Sequence, residues 1–166
     1  KFKSFTINIS MDQSINASSI STHQKINEKL PSNYILLDKI NSGGFGKVFK
    51  VKEKETGNLY AVKISFKSLD EESDDQIRDL SREVNILSKL NHPSVLKFIG
   101  YSSTNFKKRP KPMIITEYAS NGTLSDLIYS TKNYDSKSDK SNETLNLIII
   151  YGIASAMSYL HKHNII

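Results

Sequence analysis

No cysteine occurs in the 166 residues. That excludes disulfides, thiolate zinc sites and cysteine nucleophiles, and it fits an intracellular, cytoplasmic protein. The opening KFKSFTINIS lacks the continuous apolar core of a secretory signal. Long apolar runs are scarce as well. The most apolar window, Leu145–Leu160, is interrupted by Asn146, Ser155 and Ser158 and falls short of the ~20 residues of a membrane helix. It reads as a buried helix, and no membrane partner is expected. Strong charge of one sign is lacking too: 23 Lys and Arg stand against 17 Asp and Glu, a net +6. Such a surplus favours anions without naming one.

What is present describes a globular protein with a polar tail. Residues 1–30 are rich in Ser, Asn, Thr and Ile without a sustained period. They read as a disordered tail with a helical turn near Gln24–Leu30, broken by Pro31. The four N-x-S/T sequons, at Asn8, Asn16, Asn121 and Asn142, read as chance in so Asn- and Ser-rich a chain.

The texture changes at Tyr34. Tyr34–Ile40, Val48–Lys54 and Leu59–Phe66 read as strands, joined by NSGGFG and by Thr56-Gly57-Asn58. An acidic stretch, Asp70–Asp75, then suits the positive end of a helix. That helix carries Ile77, Leu80, Val84 and Leu87 at spacings of three and four, and Asn91-His92-Pro93 stops it. Val95–Tyr101 and Pro112–Tyr118 read as two more strands around the basic loop Asn105–Lys111. Leu124–Tyr129 reads as a short helix and Thr131–Asn142 as a polar, flexible insert. Thr144–His161 reads as a long helix buried through Leu145, Ile148, Ile149, Ala154, Met157 and Leu160. This order is α+β.

Four features carry chemistry. The hairpin Ile40–Val48 holds glycines that let backbone N–H groups approach an anion, because no Cβ intervenes. Lys63, in the apolar strand YAVKI, stands seventeen residues past Gly46 and could hold a phosphate as a point charge. Glu83 lies at the edge of the helix's apolar face, where it can reach a lysine on the adjacent sheet. In IITEYASNGTLSDL an apolar strand runs into a short connector whose backbone donors and acceptors could pair with a flat heterocycle. Each feature alone has a bland reading: a plain turn, a solvated lysine, a surface glutamate, a linker.

Taken in order, AVK, LSREVNILSKLNHPSVLKFIGY, TEYASNGTLSDL and IASAMSYLHKHNII resemble the smaller lobe of protein kinases and the helix before their catalytic loop, from about Tyr34 to Ile166. TEY followed by NGTLSDL resembles the tyrosine-kinase-like group, whose members mostly phosphorylate Ser and Thr. The resemblance implies a five-stranded antiparallel sheet with one regulatory helix, then the first helices of a larger lobe. Residues 1–30 would be the tail, 31–118 the ATP-binding lobe, and 119–166 the hinge and an incomplete second lobe.

It also implies roles. Ile40, Asn41, Ser42, Gly43, Gly44, Phe45 and Gly46 would form the loop over the ATP phosphates. Val48 and Ala61 would sandwich the adenine. Lys63 would contact the α- and β-phosphates, oriented by Glu83. Thr116 would be the gatekeeper, and Glu117 C=O with the backbone of Ala119 would bond the adenine edge. Leu87 and Phe98 would couple helix to sheet, and Thr123 and Asp126 would lie near the ribose. Asn41 replaces the family's first loop glycine, which the left-handed tolerance of Asn would allow. No HRD-type catalytic loop and no DFG segment follows, so the catalytic aspartate and the magnesium ligands are missing. His161 and His163 do not share a helix face and do not replace them. The 166 residues alone are expected to be inactive, whereas the full enzyme would transfer the ATP γ-phosphate to protein hydroxyls with Mg2+. The alternative is a non-catalytic nucleotide-binding module. The long helix is also expected to expose an apolar patch where the larger lobe would pack. Nucleic acid is not an expected partner, because no aromatics interleave with Lys107–Lys111.

Overall fold

The computed structural model describes residues 28–44, 46–71, 74–127 and 139–165. Five strands form the sheet: β1 (Tyr34–Ser42), β2 (Gly46–Glu53), β3 (Leu59–Ser65), β4 (Phe98–Ser102) and β5 (Met113–Glu117). Among the described residues two long helices accompany it in sequence, α1 (Asp74–Lys89) and α2 (Asp139–Lys162). The strand order is β1-β2-β3-β5-β4, antiparallel throughout.

The chain divides into two compact units. The sheet and α1 make the first, residues 28–90 and 97–118 among those described. The second comprises Asn91–Leu96 and the chain from Ala119 onward.

Strand alternation gives the sheet two chemically different faces, because successive side chains point to opposite sides. One face takes Val51, Val62, Met113 and Ile115, which with Tyr34 form the buried core, packed by Tyr60, Ile64, Ile99 and Phe106. Registers Val51↔Tyr60 and Val62↔Ile115 hold this apolar set together. The cross-sheet rows Val48↔Lys63↔Ile114 and Lys50↔Ala61↔Thr116 belong to the other face. Pairing is interrupted in β1 on both sides of Lys39. Such irregularities twist an edge strand and discourage pairing with other chains.

In the second unit, His92 stacks on Tyr159 with centroids 4.9 Å apart. Its Nδ1 accepts the Ser94 N–H at 3.2 Å, and its Nε2 lies 3.2 Å from Ser155 Oγ. The Asn91 N–H donates to the Tyr159 hydroxyl at 3.0 Å. Segment 91–96 is thus fastened to α2 largely through side chains.

Several expectations are corrected. Residues 28–30 are not helical: Glu28 bridges to Tyr101 in parallel and the Lys29 N–H donates to Tyr101 O at 2.8 Å, because β4 is a sheet edge with bonds to give. Residues 24–27 lie outside the described residues. β4 begins at Phe98, not Val95, because residues 92–95 close a turn, Val95 N–H to His92 O. β3 ends at Ser65, one residue early. α2 begins at Asp139, so residues 139–142 are helical and only the remainder of the expected insert lies outside the described residues. Of the expected short helix, residues 124–127 are helical.

The largest correction concerns α2 itself. Ile149, Ala156 and Leu160 are buried, but Ile148 (46%), Met157 (37%) and Ala154 are exposed, as are Leu147, Ile150 and Tyr151. Helix geometry assigns only one stripe, at spacings of three and four, to the packed side. By length and composition Glu143–Lys162 is also apolar enough to cross a membrane, with 17% of its window buried. The apolar window read from the sequence falls short of that length because it leaves out the helical flanks on either side.

Candidate functional site

The glycine hairpin connects β1 to β2, and the Gly43 N–H donates to Gly46 O at 3.0 Å to close it. The three described glycines differ in what they require. A Cβ on Gly43 or Gly44 would meet nothing within 4 Å. A Cβ on Gly46 would stand 2.3 Å from the carbonyl oxygen of Ile64 on β3. Gly46 is therefore demanded by the β2–β3 approach, whereas the tip is open to whatever lies beside it. Phe45 lies outside the described residues. Asn41 does not take the left-handed conformation expected of it. It is extended, paired with Val48, and its Oδ1 accepts the Ser42 N–H at 2.7 Å. Non-glycine positive φ occurs, among the described residues, at Lys108 and Asn164. The position tolerates a side chain because its backbone is an ordinary strand. Ile40, just before it, is 47% exposed.

Val48, Ala61, Lys63 and Thr116 share the face opposite the core. Helix α1 presents Glu83 to that face: Glu83 Oε1 lies 3.7 Å from Lys63 Nζ, with the side chains 36% and 43% exposed. A half-exposed pair at this distance contributes about 0–1 kcal/mol to stability. The pair therefore adds little to the stability of the fold. Glu83 reaches Lys63 because Val84 beside it is buried at 2% and fixes the rotation of α1.

Glu117 ends β5, and two hydrogen bonds tie it to Lys97. Its N–H donates to Lys97 O at 2.9 Å, and its Oε1 accepts the Lys97 N–H at 3.0 Å. The expected coupling residue Phe98 pairs with Thr116 in the same ladder. Lys50 Nζ sits 4.9 Å from the Tyr118 ring centroid, a cation–π contact at the start of the connector. Sequence reasoning missed Lys97 and Lys50. Lys97 had no local signal, since its partner is twenty residues away. Lys50 could have been found by counting two residues from Val48 along the same strand face.

Ala119 belongs to the second unit. Thr123 and Asp126, expected near a ribose, form a reciprocal cap on residues 124–127. The Thr123 N–H and hydroxyl donate to Asp126 Oδ2 at 3.0 and 2.7 Å, and the Asp126 N–H donates to Thr123 Oγ1 at 3.1 Å. These bonds hold the Asp126 carboxyl below its ordinary range, the Thr123 hydroxyl contributing most. Gly122, at φ +75°, makes the turn into the cap.

A family model described as the protein kinase domain matches residues 34–166. The chain is 33% identical over 150 residues to a serine/threonine-protein kinase of Drosophila simulans, covering 88% of this chain and 18% of that protein. It is 33% identical over 147 residues to an Aurora kinase of Saccharomyces cerevisiae, covering 84% and 37%. A receptor-like kinase of Arabidopsis thaliana is 32% identical over 122 residues, covering 74% and 20%. The matched stretch thus spans well under half of each of these relatives.

Proposed function

The chain belongs to the protein kinase family, and from that premise we propose that it is the ATP-binding portion of an enzyme that transfers the γ-phosphate to protein Ser or Thr hydroxyls. One observation carries the reading: strand alternation gathers Val48, Ala61, Lys63 and Thr116 on the face opposite the core, and Glu83 meets Lys63 there at 3.7 Å. On this reading Val48 and Ala61 hold the adenine from one side. Lys63 neutralises the α- and β-phosphates, and Glu83 keeps its ammonium aimed. The Glu117 N–H is already bonded to Lys97. The Glu117 carbonyl and the Ala119 backbone are assigned to the adenine edge. The open positions at Gly43 and Gly44 suit a phosphate cradle, since nothing lies within 4 Å of where a side chain would start.

The group assignment, tyrosine-kinase-like, rests on TEY and NGTLSDL alone. Magnesium is expected in the complete enzyme. Its ligands on the family pattern lie in segments these residues do not include, and among the described residues no cluster of three His, Asp or Glu could hold a metal. We expect no phosphoryl transfer from these 166 residues alone. A cytoplasmic location, a protein substrate and no nucleic-acid or membrane partner go with this reading.

The test is titration with a fluorescent ATP analogue. Lys63→Met is expected to weaken binding by about tenfold or more, the loss of a charge-assisted phosphate contact. Unchanged affinity in Lys63→Met, with the fold intact by circular dichroism, would overturn the assignment.

A further inference from the structure

Away from the nucleotide face, the loop between β4 and β5 concentrates cations on a scaffold too well made for a mere connector. Lys107, Lys108 and Arg109 are exposed in succession. Asn105 organises them: its Oδ1 accepts the N–H groups of Lys107 at 2.8 Å and Arg109 at 3.2 Å, and its own N–H donates to Arg109 O at 3.0 Å. The Lys108 N–H donates to Asn105 O at 2.9 Å, and Lys108 takes φ 56°, a conformation non-glycine residues adopt at a cost. The base is fixed as well. Ser65 N–H bonds to Pro112 O and Leu69 N–H to Pro110 O, while the Lys111 ammonium donates to Phe66 O. Among the described residues, none of Lys107, Lys108 and Arg109 is ion-paired with a carboxylate.

We propose that this turn, Asn105–Lys111, is a docking site for an acidic peptide segment of a partner protein. The backbone that carries the three cations is already ordered, so binding restricts only their side chains and the peptide, which lowers the ordering cost. Arg109 supplies the fork that matches a carboxylate, with the lysines as point charges beside it for the next acids. A single-stranded nucleic acid fits less well: the aromatic of the loop, Phe106, is partly buried against the core, and no second aromatic stands among the cations to stack a base. An anionic membrane fits less well too, since polybasic membrane sites use about four to eight cations, and the Lys111 ammonium is turned inward to Phe66 O.

The experiment is fluorescence anisotropy of the 166-residue protein with a labelled peptide of about twelve residues in which Glu alternates with Ser and Gly, at roughly 0.15 M salt. Lys107→Glu/Lys108→Glu/Arg109→Glu is expected to raise Kd at least about tenfold. Asn105→Ala keeps every charge but frees the turn, and a rise of about threefold or more is expected. Lys39→Glu/Lys52→Glu/Lys54→Glu, which reverses three cations on β1, on β2 and just after β2, is expected to leave Kd within about twofold. Equal weakening by both triple variants, or no effect of Asn105→Ala in a protein that melts like the wild type, would mean diffuse charge and overturn the proposal. So would absence of peptide binding, or tighter binding to a poly-U oligonucleotide or phosphatidylserine vesicles under the same conditions.

Discussion

Replacing Gly46 by alanine tests whether a glycine in the hairpin proposed to cradle phosphates serves the ligand or the fold. The added Cβ would lie 2.3 Å from Ile64 O, 3.0 Å from Ile64 C and 3.4 Å from the Ser65 Cα. All three are backbone atoms of β3, the middle strand of the sheet, so none can swing aside as a side-chain end could. Relief requires β2 to move away from β3 at its first residue, where Gly46 pairs with Ser65. Overpacking of this kind costs about 1–3 kcal/mol, and a rigid backbone neighbour argues for the upper end. For a unit of this size each kcal/mol lowers Tm by about 4–8 °C, so a drop of roughly 10–20 °C is expected. Gly43→Ala is the control: nothing lies within 4 Å and its φ is not positive. It is expected to leave Tm unchanged or slightly raised, since alanine restricts the unfolded chain by about 0.4–1 kcal/mol. On the proposed function its expected effect is instead a weaker fluorescent-ATP Kd. Differential scanning fluorimetry and nucleotide titration of both variants settle the matter. A Gly46→Ala protein melting within about 2 °C of wild type would refute the reasoning from the β2–β3 approach.

Further outcomes follow from the same geometry. The Tyr34 hydroxyl is buried without a hydrogen-bond partner among the described residues, so Tyr34→Phe, which keeps the edge-on contact with Tyr60, is expected to raise stability by about 1 kcal/mol in urea unfolding. Burial, with help from Glu53 and Tyr60, pushes the Tyr34 phenol up to about 12. The folded state then holds the proton longer, so stability is full below about pH 10 and falls as pH rises from there through about 12; the phenylalanine variant should lose that slope. Thr123→Ala removes the helix cap and should cost about 1 kcal/mol by denaturant titration. The Asp126 carboxyl, held low by the same hydroxyl, contributes stability that is present above the ordinary carboxylate range and is lost as pH falls below that range through the lowered folded value, a loss that Asp126→Asn should abolish. Glu83→Gln should change stability by less than about 1 kcal/mol, because the pair is half exposed, while measurably weakening nucleotide binding. His92→Ala should cost about 1–3 kcal/mol, read as loss of α2 ellipticity, by removing the Tyr159 stack and two hydrogen bonds.

The five strands, both helices and the order of Lys63, Glu83 and the connector were legible in the chain alone, because these depend on short-range patterning. Alternation marks a strand, three-four spacing marks a helix, and glycine or proline marks a turn, all within a few residues. The cap at Thr123 was equally open to reading, as a threonine three residues before an aspartate. The rest had to wait for the folded molecule, because it turns on contacts between residues far apart in the chain. The reason Gly46 must be glycine is an oxygen on Ile64. Asn41 keeps its place because its partner strand holds it extended, not because asparagine tolerates a left-handed turn. The Lys97–Glu117 latch and the Asn91–Tyr159 bond join residues twenty and sixty-eight positions apart. Which stripe of α2 is buried depends on where the turn 91–96 meets it. Apolar spacing predicts that such a helix has a packed face, but the atoms that pack against it choose which face that is.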